Sequence, residues 1–206
     1  MEFNHKSVLL AACIEALNIK PDGIYVDGTA GGAGHSSEIA KKLKNGMLYA
    51  LDRDPDAVKI ATERLSGLPA KVINTTFSNM KEVLNGIGVE GVDGILLDLG
   101  VSSYQLDTAE RGFSYHKDAP LDMRMSKSGI SAADIVNTFS ERELSDIFFR
   151  FGEEKFSSRI ASKIAAARKE KEIETTLVTN KKEASRDQEV SRTTVHAYTA
   201  YLCLRT

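Results

Sequence analysis

Four short apolar runs, separated by helical stretches, constrain this chain more than any other feature in it. Ile24-Tyr25-Val26 ends in Asp27, Met47-Leu48-Tyr49-Ala50-Leu51 ends in Asp52, Lys71-Val72-Ile73-Asn74 follows, and Val92 to Leu97 ends at Asp98. Between them, Ser36 to Lys44 puts Ile39, Ala40 and Leu43 on one side of a helix, and Asp56 to Leu65 carries Val58, Ile60, Ala61 and Leu65. Nearly continuous apolar strands alternating with helices indicate a parallel sheet buried on both faces. The expected class is α/β, doubly wound, with its ligand beyond the carboxyl ends of the strands.

The first strand runs into "VDGTAGGAGHSS", in which glycines crowd the start of the next helix. A Cβ at such positions collides with a ligand or forbids the tight turn, and the helix start offers free N–H donors. Asp52 stands 21 residues after Gly31, close to the roughly 20-residue offset at which an acid at a strand end meets a ribose diol. The frame from Gly32 reads Gly32-Ala33-Gly34-His35-Ser36-Ser37. Serine replaces the last glycine of the strict dinucleotide loop, which counts against a nicotinamide-dependent oxidoreductase. With Asp27 leading it, the loop is instead similar to the S-adenosylmethionine loop of methyltransferases. Three strands ending in Asp27, Asp52 and Asp98 would crowd carboxylates at one sheet edge, which calls for a cationic or hydrogen-bonding ligand.

Composition narrows the setting. The 206 residues are 42% hydrophobic and 27% charged with a formal net charge of -2, and no run approaches the roughly 18 apolar residues that span a bilayer. The opening Met1-Glu2-Phe3-Asn4-His5-Lys6 lacks the order of a secretory signal, so a cytoplasmic protein with no membrane partner is expected. Cys13 and Cys203 have neither disulfide nor metal-ligand spacing, and no metal site is expected. Residues 150–206 hold 12 Lys or Arg against 8 Asp or Glu, a basic end that suits phosphate or a solvated face of ion pairs.

After Gly100 the character changes. Residues 101–130 read as loop, and helices dominate beyond them. Ser140-Glu141-Arg142-Glu143 is a capping box, Gly152 is placed to end the helix that follows, and a second helix from about Glu153 to Lys171 puts Phe156, Ile160 and Ile164 on one face.

Five stretches together resemble one family: "HKSVLL" at 5–10, "YVDGTAGGAGHS" at 25–36, "LDLGVSSYQLD" at 97–107, "RGFSYHKDAPLDMRM" at 111–125 and "FGEEKFSSRIA" at 151–161. They are similar to the bacterial ribosomal RNA small subunit methyltransferase H family. The resemblance implies a Rossmann-like S-adenosylmethionine-dependent methyltransferase sheet with an inserted all-helical module. It implies N4-methylation of a cytidine in the decoding region of 16S ribosomal RNA, within the small ribosomal subunit. Carried over position by position, it puts S-adenosyl-L-methionine on Gly34, His35, Ser36, Asp52, Phe77, Asp98 and Gln105. Asp98 is also the candidate catalytic acceptor that draws the amino N–H of cytosine out of conjugation. The expected division is a methyltransferase core over 1–110, a loop and helical recognition module over 111–177, and an unassigned tail over 178–206. RNA contacts are expected from the 111–125 loop and from Arg124, Arg159, Lys163, Arg168 and Lys169.

Two departures stand beside the resemblance. Ala12 occupies a position where the family more often carries an acid. The stretch after Leu177 departs from the family, as a truncated or frameshifted coding sequence would. The expectation is then a partial sheet of four strands with one flank uncovered, and the alternative function is an inactive remnant that keeps only cofactor or RNA binding.

Overall fold

The computed structural model describes residues 8–114 and 116–176. The expected tail over 178–206, Cys203, Tyr115 and the first residues of the HKSVLL stretch lie outside the described residues. The chain divides into two compact units, one ending at Leu99 and one beginning at Gly100, at the point where the sequence changes character.

In the first unit, β1 (Ile24–Asp27), β2 (Met47–Asp52), β3 (Ala70–Asn74) and β4 (Gly94–Leu96) form a sheet of order β3-β2-β1-β4. All three pairings are parallel. The helices are α1 (Leu10–Ala16), α2 (Gly34–Ala40), α3 (Pro55–Arg64) and α4 (Met80–Gly86). Side-chain alternation assigns the two faces. Tyr25, Leu48 and Ala50 pack with Ile39, Ala40 and Leu43 and with Ala61 and Leu65, whereas Val26 and Leu51 pack with Leu84. Helices α2 and α3 therefore cover one face and α4 the other, the doubly wound arrangement, and the chain reverses its direction of travel across the sheet between β1 and β4. The crevice at that reversal is where ligands bind in such sheets.

Burial on both faces holds for β1 and β2 but not for β4. Ile95, in register with Val26, is 48% exposed, and Leu97 and Leu99 are exposed beyond it. An uncovered flank of the sheet is thus present among the described residues.

The second unit corrects the reading of residues 101–130 as loop. Ser102 caps α5 (Ser103–Asp107) through a capping box with Gln105. Phe113, Leu121, Met123 and Met125 enter one core with Leu144, Ile147 and Phe148 of α7 (Glu141–Gly152) and Ile160 and Ile164 of α8 (Ser157–Glu170). Helix α6 (Ala132–Thr138) adds Ile135 and Val136. These apolar residues follow no period because each is placed by turns: Gly112 sits at φ +74°, with Pro120 O only 2.5 Å from where a Cβ would stand. The Ser140 capping box forms as expected. Phe156 does not join the buried face of α8; it precedes the helix and is exposed.

Candidate functional site

The loop between β1 and α2 is tied down residue by residue. Gly28 N donates to Leu96 O at 2.9 Å, Ala30 N to Leu51 O at 2.9 Å, and Ala33 N to Ala30 O at 2.7 Å. Gly31 lies at φ +50° and Ala33 at φ +60°. A buried alanine in the left-handed region costs about 1–2 kcal/mol, and such strain persists only where surrounding bonds enforce it. At Gly28 a Cβ would stand 2.5 Å from Leu97 Cδ2 and 3.1 Å from Phe77 Cβ, so this glycine lets the ends of β1, β3 and β4 converge.

Side chains complete the clamp. Asp52, the last residue of β2, accepts from Gly31 N at 2.7 Å through Oδ2 and from Asp54 N at 2.8 Å through Oδ1. Burial pushes its pKa up, and the backbone N–H groups of Asp54 and Gly31 pull it back without cancelling that. Asp27, which unlike Asp52 is fully buried, accepts from Ser36 Oγ at 2.6 Å and Thr29 N at 3.1 Å. Burial raises its pKa too, against those two bonds. Arg64, at the end of α3, donates through Nη1 to Gly32 O at 2.6 Å.

The candidate residues divide by what their side chains already do. Gly34, His35 and Ser36 form the first turn of α2. The Ser36 hydroxyl is committed to Asp27 and is fully buried, so what Ser36 presents to a ligand is backbone. His35 Nε2 donates to Val8 O at 3.1 Å, which fixes the proton on that nitrogen and ties the N-terminal segment to α2. Phe77 opens a short 3-10 turn, Phe77–Asn79, behind Gly28. Asp98 follows β4 by two residues and is exposed, its N–H donating to Thr29 Oγ1 at 2.7 Å. Gln105 belongs to the second unit, where its Oε1 accepts from Ser102 N at 3.0 Å. The structure brings Gly34, His35, Ser36, Asp52, Phe77 and Asp98 to the carboxyl rim of one sheet.

Sequence reasoning missed Thr29 and Arg64. Thr29 carried a faint signal, a hydroxyl two residues after the acid that ends β1. Arg64 carried none, since its partner lies 32 residues away. Two cations expected to meet RNA are already engaged: Arg124 forks onto Asp122, with Nε 3.0 Å from Oδ1 and 3.1 Å from Oδ2, and Arg168 donates to Val136 O at 2.7 Å and Phe139 O at 2.6 Å. Among the described residues no group of acids, histidines and cysteines can hold a metal ion, and no helix is long and apolar enough to cross a membrane.

Comparison with known proteins places this rim in context. The ribosomal RNA small subunit methyltransferase H of Lachnospira eligens is 56% identical over 184 residues, covering 87% of this chain and 58% of that protein. Its namesake in Clostridioides difficile is 55% identical over 180 residues, with 85% and 58% covered. The chain therefore spans less than two thirds of the length of the curated relatives it matches. A solved rRNA methylase from Streptococcus thermophilus superposes with a TM-score of 0.38 at 18% identity, covering 57% of this chain and 71% of that one. The model of the MraW methylase family matches residues 2–197, past Leu177, after which the sequence was expected to depart from the family. With that match over nearly its whole length, the chain belongs to the MraW methylase family.

Proposed function

We propose that the rim of this sheet binds S-adenosyl-L-methionine for the N4-methylation of a cytidine in the decoding region of 16S ribosomal RNA. The observation that carries this reading is the Asp52 to Gly31 bond, which holds an acid and a glycine loop together at the sheet's switch point in a member of a methylase family. The fit is chemical. A carboxylate has about four lone-pair sites, so Asp52 keeps acceptor capacity for a ribose hydroxyl, a charge-assisted bond worth about 1.5–3 kcal/mol. Phe77 supplies an aromatic surface for adenine, and the backbone of Gly34 to Ser36 lies along the loop. The resemblance also carries Gln105 over as a cofactor contact, within a proposed functional core over 1–110 followed by a recognition module over 111–177.

When bound, held by Asp52, Phe77 and the Gly34–Ser36 backbone, the cofactor would supply a methyl group on cationic sulfur to N4, with the neutral thioether as leaving group and the displaced N4 proton passing to water. This chain's task is alignment more than basicity. Asp98, exposed on the rim, accepts an N–H of the target amine and so frees the lone pair from ring conjugation. The target base leaves its stack to reach the rim. Arg159, Lys163 and Lys169 on α8 offer contacts to phosphate. A ribosomal substrate places the reaction in the cytoplasm.

Isothermal titration with S-adenosylmethionine against the wild-type chain and Asp52→Ala tests the cofactor assignment; equal affinity would refute it. A second reading, binding without turnover, is favoured by the uncovered apolar edge at Ile95, Leu97 and Leu99. Methyl transfer to small subunits lacking the modification separates the two, since measurable turnover eliminates the second.

A further inference from the structure

The ladder between β1 and β4 ends with Asp27 opposite Leu96. One more rung follows, Gly28 N to Leu96 O at 2.9 Å, and from Leu97 to Gly100 every residue is exposed, with Gly100 at φ +147°. Asp98 makes a single hydrogen bond among the described residues, from its N–H to Thr29 Oγ1 at 2.7 Å. Thr29 in turn donates its own N–H to Asp27 Oδ1 at 3.1 Å, and the other oxygen of Asp27 accepts from Ser36. A side chain thus supplies the rung that the backbone ladder no longer provides. It connects an exposed acid at the end of β4 to a buried one at the end of β1. The β-branched side chain of threonine has a restricted χ1, which limits where its oxygen can stand.

We infer that Thr29 is a positioning residue: its hydroxyl, not its bulk, sets where Asp98 stands relative to the glycine loop. The role rests on the proposed reading of Asp98 as a contact for cofactor and target amine. Valine keeps the shape of threonine and removes the acceptor; serine keeps the acceptor and removes the methyl.

The test uses the full chain as wild type, Thr29→Val and Thr29→Ser. Amide 1H–15N spectra with hydrogen exchange read the Asp98 N–H directly, and titration with S-adenosylmethionine reads the site. In Thr29→Val the Asp98 amide is expected to shift and to exchange about tenfold faster, and cofactor affinity to fall about tenfold, the scale of one hydrogen bond. The remaining amide resonances keep their dispersion. In Thr29→Ser both readouts return to within about twofold of wild type. An unmoved Asp98 amide in Thr29→Val, an amide that moves with affinity unchanged, or a serine variant as impaired as the valine variant overturns the inference. A wild-type chain that binds no S-adenosylmethionine overturns the proposed function, whereas the Asp98 amide still decides whether Thr29 holds that residue.

Discussion

Ser36 Oγ lies 2.6 Å from Asp27 Oδ2, and this contact joins the first turn of α2 to the last residue of β1 below a loop that has almost no side chains of its own. Both residues are fully buried. A carboxylate in that position is costly unless it is hydrogen-bonded, and its partners here, Ser36 and Thr29, sit on either side of the glycines. The loop's shape is therefore held from beneath by Asp27, from β2 by Asp52 and from α3 by Arg64. The protein's own bonds define its shape, and such organisation reduces the ordering cost of binding.

Asp27→Asn should reveal the burial cost as a function of pH. Burial raises the pKa of Asp27 above its ordinary value of 3.8, so the folded chain holds that proton more tightly than the unfolded one. This contribution to stability is fully present below 3.8 and is lost as pH rises through the folded-state value. Asparagine does not ionise. Urea unfolding of both proteins from about pH 4 to about pH 7 should show the difference moving in favour of the variant as pH rises. A constant or opposite trend removes buried ionisation as the cause.

Two glycine substitutions should separate crowding from backbone conformation. At Gly46 a Cβ would stand 2.2 Å from Gly23 O and 2.9 Å from Gly23 N, both backbone atoms that cannot turn away. Gly46→Ala should cost about 3 kcal/mol or more. At Gly31 the nearest atom is Thr29 O at 3.9 Å, but φ is +50°, so Gly31→Ala pays only the left-handed penalty of about 1 kcal/mol. Equal losses of unfolding free energy for the two would contradict this division.

Much of the first unit was legible because local signals and tertiary structure agree there. Apolar runs gave β1, β2 and β3 within a residue of their ends, and the offset from Gly31 to Asp52 marks a real bond. What was not legible depends on partners distant in sequence. Helix α2 starts at Gly34 and stops at Ala40, earlier at both ends than its apolar pattern suggests, because the loop bonds fix its first turn. Strand β4 keeps one face open, with Ile95 48% exposed. Arg168 looks like a surface cation by composition, yet its guanidinium caps the carbonyls at the end of α6. The segment from Val101 to Met125 has core residues without a period, and only the turns at Gly112 and Met123, both at positive φ, bring them inward.

The end of α7 offers a stabilising change. The left-handed residue that terminates this helix is Glu153, at φ +52°, not the neighbouring Gly152 that the sequence favours for the purpose. Glu153 is exposed, so glycine there removes backbone strain without opening a cavity. Glu153→Gly should raise unfolding free energy by about 0.5–1 kcal/mol. A lower thermal midpoint for the variant would show that Glu153 makes a contribution outweighing its strain.

Arg159 and Arg168 lie on the same helix, α8, and should fail in different ways. Arg159 is exposed, with no hydrogen bond or ion pair among the described residues, and Lys163 follows one turn later. If α8 meets the RNA backbone, Arg159→Ala and Lys163→Ala should each flatten the dependence of log affinity on log salt by about 0.7 to 0.9, with stability unchanged. Arg168 instead holds Val136 O and Phe139 O. Arg168→Met keeps the stem but leaves those carbonyls without their charged donor, at about 2 kcal/mol of stability, and leaves the salt slope of the folded protein as it was. Fluorescence anisotropy of a labelled decoding-region oligonucleotide across a salt series, paired with urea unfolding, reads both quantities. A salt slope that drops for Arg168→Met but not for Arg159→Ala would reverse the two roles and move the RNA to the other face of the helix.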